Sequence, residues 1–137
     1  MEVSVSQSRS RGAKFERRVL KYLIGDNTSP THGYLHTLLP ANTSKLTPPL
    51  LYGIRSAGIR GDNDLLIIIT GRKGQRVLGI QCKISKPGEK AMYSDMLRIK
   101  RDTGIDCVYA WRKKSGRKLF FTPELEPVFK QLVEEVC

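Results

Sequence analysis

The sequence predicts one mixed α/β domain, a central sheet flanked by helices in the order αβββαββα. Three observations predict it. An apolar run over 65–69 and the segment RVLGIQCKIS over 76–85 are joined by the turn Arg72-Lys73-Gly74-Gln75, the pattern of a β-hairpin. Amphipathic helical patterns stand near both ends of the sequence, with strand-like runs between them. A length of 137 residues with 39% hydrophobic content suits a single core.

Residues 1–8 lack apolar periodicity and read as a loose basic tail, leaving 9–137 as the domain. Over 10–23, Phe15, Val19, Leu20, Tyr22 and Leu23 recur at helical spacing. Arg11, Lys14, Arg17, Arg18 and Lys21 fill most other positions, so the helix is basic and amphipathic. The stretch 25–49 carries Pro30, Gly33, Pro40, Pro48 and Pro49 and reads as loop with one short turn over 34–39. A short strand is expected over 51–55, a glycine-rich turn over 58–61, and then the hairpin. Met92, Met96, Leu97 and Ile99 give a helix over 89–102; a strand follows over 106–111, a turn at Ser115-Gly116, and a last strand over 118–122. Leu125, Val128, Phe129, Leu132, Val133 and Val136 form the apolar face of a closing helix over 124–136.

Charge narrows the partners. Twenty-four Lys and Arg against thirteen Asp and Glu give a formal charge of +11 and a pI near 9.9, a field that attracts a polyanion, nucleic acid first. The longest apolar run has five residues, too few for a membrane span, and the basic start MEVSVSQSRSRGAK is no signal peptide. Cys82, Cys107 and Cys137 form no CxxC pair, which argues against a disulfide framework or a zinc site and fits a cytoplasmic protein. No GxxxxGK[ST] run is present, so no nucleotide cofactor is expected.

Chemistry concentrates on the hairpin. Gly61-Asp62-Asn63-Asp64 sets carboxylates at the mouth of an apolar strand, where they either cap a turn or bind something cationic. Gln81 and Lys83 are two residues apart and share one strand face, while Ile80, Cys82 and Ile84 share the other. Polar groups there mark either a solvated face or a functional one. Glu16 is the single acid of the first helix, at the edge of its apolar face; its local alternatives are Arg17 and Arg18 as ion-pair partners.

Gly12-x-x-x-Glu16, Asp64 at the head of a strand and Gln81-Cys82-Lys83 on the next strand resemble the core of the PD-(D/E)xK nucleases. In order and size the chain is most similar to the archaeal and viral Holliday junction resolvases: SRGAKFERRVLKYL resembles their first helix, and IRSAGIRGDNDLLII with VLGIQCKIS resembles their catalytic hairpin. The resemblance covers about residues 9–122. It implies a restriction-endonuclease-like fold and a metal-dependent endonuclease that resolves four-way junctions by paired nicks as a homodimer. Glu16, Asp64 and Gln81 would then hold Mg²⁺ or Mn²⁺, Lys83 would be the catalytic lysine, and Ser56 stands where these enzymes often have a functional serine. Three departures stand out: Asn63 replaces a proline, Gln81 replaces an acid as in Mrr-like nucleases, and the 25–49 connection is long. The alternatives are an Mrr-like duplex endonuclease and a non-catalytic DNA-binding protein with this fold. Arg9, Arg11, Lys14, Arg55, Arg60, Lys86 and Lys90 are expected to track phosphates around the site, and Arg112, Lys113 and Lys114, with Arg117 and Lys118, to form a second basic cluster.

Overall fold

The computed structural model describes residues 5–25 (side chains from Gly12 onward), 33–39, 49–56, 64–113 and 116–137. In chain order the elements are α1 (Val5–Ile24), α2 (Tyr34–Thr37), β1 (Leu50–Arg55), β2 (Leu65–Gly71), β3 (Gly74–Lys83), α3 (Glu89–Thr103), β4 (Asp106–Arg112), β5 (Leu119–Phe121) and α4 (Leu125–Val136). The expected glycine-rich turn over 58–61 and Ser115 of the expected late turn lie outside the described residues.

The strands form one open mixed sheet in the order β1-β2-β3-β4-β5. Neighbours are antiparallel except β3 and β4, which are parallel and therefore need the long crossover that α3 supplies. The β2–β3 hairpin turns through Arg72 and Lys73 alone, because Gly71 already pairs with Gly74, whose φ of 137° suits glycine. α3 ends where Gly104 takes the left-handed conformation and returns its N–H to the Lys100 carbonyl.

The two sheet faces are covered differently. Leu65, Ile67, Ile69, Leu78, Ile80, Val108 and Ala110 point to the face closed by α1, α2 and α4, where Val19, Leu23, Leu35, Phe129 and Val133 complete one continuous core. On the opposite face Tyr109 and Trp111 meet Met92 of α3 in a separate small cluster. Alternation along β4 sends Val108 one way and Tyr109 the other, so every second residue decides which layer it joins. Gly53 lets α1 lie flush on β1: a side chain there would run into Leu20 and Ile24.

Several boundaries shift; β2 runs on to Gly71, β3 already begins at Gly74, inside the expected four-residue turn, and β5 is confined to Leu119–Phe121. α1 begins at Val5 rather than near Ser10, since adding polar turns to a helix already anchored by packing costs little and needs no apolar stripe. Residues 34–37, expected as a turn, form the one-turn helix α2. β3 stops at Lys83, where the ladder to β4 ends, two residues short of the expected end. Among the described residues no helix is long and apolar enough to cross a membrane.

Candidate functional site

The site residues gather at one end of the three antiparallel strands. β1 and β2 end their ladder at Arg55 and Leu65, and one step further the Ser56 N–H donates to the Asp64 carbonyl at 2.9 Å. Asp64 then reaches the next strand: its Oδ2 accepts the Cys82 backbone N–H at 2.8 Å, between Gln81 and Lys83. Ser56, Asp64 and the 81–83 segment are thus consecutive across the sheet, although 27 positions separate the first from the last. Asp64 is charge-compatible there because its carboxylate accepts a backbone donor left over at the strand end.

Strand alternation divides the rest. Gln81 stands beside Tyr109 and Lys83 beside Trp111 in the parallel ladder, so both face the α3 side. Gln81 is buried and Lys83 exposed. Cys82 faces the α1 side, packed against the main core. Glu16 approaches from α1, and its Oε2 accepts Arg55 Nε at 2.9 Å, a half-buried ion pair between α1 and β1. Arg17 and Arg18 are therefore not what the structure places on Glu16.

Electrostatics ties these groups together. The Cys82 thiol is pushed far above its ordinary range, first by burial, then by the carboxylates of Asp64 and Glu16, with Lys83 pulling weakly the other way. Asp64 lies directly on the Cys82 N–H, whereas Glu16 approaches from the α1 side with its charge already met by Arg55.

Behind Lys83 lies a set of residues that strand and helix patterns alone do not connect. The Tyr109 hydroxyl donates to Asp95 Oδ2 at 2.6 Å, and Arg98 donates to Asp95 Oδ1 at 2.8 Å. The Asp95 carboxyl is held below its usual range, chiefly by the Tyr109 hydroxyl, with Arg98 and Lys83 adding to it. Tyr109 in turn is raised above the ordinary phenol range by burial and by that carboxylate. In sequence Asp95 is one of three acids of the 89–102 helix, with Glu89 and Asp102, and it needs the β3–α3–β4 crossover before Tyr109 becomes its partner.

The donor set tests whether a divalent cation fits. Hard cations want oxygen ligands, and Asp64 Oδ1, the Gln81 amide and Glu16 are of that kind. Arg55 already takes one Glu16 oxygen, and among the described residues no three His, Cys, Asp or Glu side chains cluster as a ligand set. The fit therefore rests on Asp64 with the Gln81 amide, and Glu16 joins only as Arg55 yields.

Of the expected phosphate contacts, Lys14, Lys86, Lys90 and Lys113 are exposed. Arg55 is engaged by Glu16 and so is withdrawn from that role. Lys86 lies 6.0 Å from the Trp111 ring centroid, Arg112 6.0 Å from Phe15 and Lys113 6.0 Å from Phe120, so aromatic faces seat these cations. Arg60, Lys114 and the side chains of Arg9 and Arg11 lie outside the described residues. His36 spends Nδ1 on the Gly33 N–H at 3.1 Å, capping its own short helix.

Comparison with protein-family models, with curated proteins and with solved structures finds no match to this chain.

Proposed function

We propose that the chain is a metal-dependent DNA endonuclease with a restriction-endonuclease-like fold, acting on four-way junctions as a homodimer. The observation that carries this reading is the Asp64 carboxylate held on the Cys82 N–H between Gln81 and Lys83. An acid at the head of one strand can hold a cation, and a lysine on its neighbour can stabilise charge on a phosphate, which supports this reading.

Asp64 and Gln81 would hold Mg²⁺ or Mn²⁺, with Glu16 as the third oxygen donor. Bound there, the ion would supply Lewis-acid stabilisation of the phosphoryl oxygens and a more acidic water. The chain's own residues do the rest. Lys83, exposed at the end of β3, contributes a positive charge where negative charge develops on phosphorus. Asp95 and Tyr109 fix the wall beside it. Ser56 ties the start of β2 to the end of β1 and keeps Asp64 in place. The exposed cations Lys14, Lys86, Lys90 and Lys113 hold backbone phosphates and read no sequence.

A second reading, a non-catalytic DNA-binding protein with the same fold, is favoured by two observations: an amide rather than an acid at Gln81, and Glu16 paired with Arg55. Cleavage of an end-labelled four-way junction with and without Mg²⁺ decides between them. The nuclease reading expects paired nicks that need the metal and vanish in Asp64→Asn and Lys83→Ala, with binding retained. Metal-independent silence on every substrate, alongside tight binding, selects the second reading; equal cutting of a matched linear duplex selects a duplex nuclease instead.

A further inference from the structure

On the flank of α1 turned away from Glu16 lies a recess of about 500 Å³ lined by Arg18, Lys21, Tyr22, Arg117, Lys118 and Leu119. Helix geometry explains the separation. Glu16, Leu20 and Ile24 share the flank toward β1, whereas Arg18, Lys21 and Tyr22 point toward β5. Arg18 and Lys21 come from α1 and Arg117 from the segment before β5, far away in sequence, while Lys118 lines the recess but carries its Nζ to the Phe120 ring at 5.5 Å; among the described lining residues none is a carboxylate. Its floor is apolar, made by Leu119 and the edge of Tyr22, whose ring is clamped between Tyr34 at 5.6 Å and Phe121 at 5.7 Å. That clamp makes the floor rigid.

Three like charges, Arg18, Lys21 and Arg117, stand around a concavity with no carboxylate among its described lining residues, and a polyanion relieves their mutual repulsion. The volume falls within the range of small-ligand sites, on the order of 300–1,000 Å³, and an apolar floor suits a sugar or base rather than a bare anion. A paired duplex presents phosphates on a convex rail and reaches only the rim, because its bases are stacked and its sugars face along the helix. An unpaired nucleotide, with its own phosphate and the next one, fills both floor and rim. Along α1, Lys21 is five residues from Glu16, about 7–8 Å at ~1.5 Å per residue. The recess is therefore within a few nucleotides of the strand end that carries Asp64.

We infer that this recess binds an unpaired nucleotide of a DNA strand leaving a duplex, with Arg18, Lys21 and Arg117 on its flanking phosphates. The inference rests on the DNA-binding reading above and deepens it: the recess gives the protein a preference for DNA with an unpaired strand, such as a splayed fork, over linear duplex.

The test uses the double variant Arg18→Gln/Arg117→Gln, whose residues are exposed and take no part in the catalytic set. Binding is read by fluorescence anisotropy at one salt concentration on three labelled probes: oligo(dT), a splayed fork and a linear duplex. Thermal melting checks that the variant is folded. The expected result is a loss of about tenfold or more on oligo(dT) and the fork, with a loss of about threefold or less on the duplex. An equal loss on all three overturns the inference and leaves the nuclease reading standing, since the recess is then one more stretch of backbone track. Binding of the wild type to none of the probes overturns both.

Discussion

The two faces of the sheet differ in what they are built from. Toward α1, α2 and α4 the sheet is closed by a single apolar core in which Leu78, Ile80 and Phe129 are fully buried. Toward α3 the cluster is small, and polar groups enter it: buried Gln81, the Tyr109–Asp95–Arg98 network and exposed Lys83. Over β1 that second face is barely covered, leaving Leu50, Tyr52 and Ile54 exposed. One face is a dry apolar core and the other takes in polar and charged groups. A site that must hold charges and admit a substrate cannot also be a dry core.

That contrast can be broken by substitution. Phe129→Ala removes a fully buried ring from the main core and is expected to cost about 3–5 kcal/mol, read by denaturant unfolding. Met92→Ala on the α3 face is expected to cost about 2 kcal/mol, since its cluster is small and open at the edge. An equal cost at both positions would show that stability is not concentrated on one face.

Tyr109→Phe sharpens the comparison within the α3 face. It removes a hydroxyl bonded to a carboxylate, worth about 1.5–3 kcal/mol. The pH dependence has a definite sign. Asp95 is depressed in the folded state, so its share is present above about pH 4 and fades as pH falls through the folded value. Tyr109 is raised, so its share is whole below about pH 10 and fades as pH rises beyond that. The stability difference between wild type and variant should therefore be flat from about pH 5 to 9 and shrink on both sides. A difference that keeps its size down to about pH 2 would mean Asp95 does not carry it.

The smallest effect is expected at the α1–β1 contact. Arg55→Ala breaks an ion pair that solvent partly screens, so the cost should be about 1 kcal/mol or less. If Glu16 serves as a metal ligand, the same change frees its carboxylate and lowers the Mg²⁺ concentration needed for half-maximal cleavage. An unchanged metal requirement would show that Glu16 lies outside the ligand set.

Local patterns made most of the fold legible. The apolar run over 65–69 and the turn expected at Arg72-Lys73-Gly74-Gln75 define the hairpin because strand alternation and turn residues are read within a few positions, although the pairing of Gly71 with Gly74 tightens the turn to Arg72 and Lys73. The shared face of Gln81 and Lys83 followed from the same alternation. What stayed hidden depends on distant pairing. Glu16 offers Arg17 and Arg18 as neighbours in sequence, yet takes Arg55, which lies 39 positions on and arrives only because Gly53 brings β1 under α1. Asp95 looks like one more surface acid until the crossover sets Tyr109 opposite it. The early start of α1 was invisible because its first turns are polar and carry no stripe.

The surroundings of Cys82 also decide the protein's behaviour toward oxidants and electrophiles. Its raised thiol holds almost no thiolate near neutral pH, and thiolate is the reactive form. Cys107 is buried, while Cys82 and Cys137 are both partly open, so the raised thiol is what sets Cys82 apart. A maleimide dye should therefore attach at Cys137 and leave the other two thiols untouched. A label on Cys137 would sit beside the β2–β3 turn, where the Val136 carbonyl accepts the Lys73 N–H, at the opposite end of β2 from Asp64.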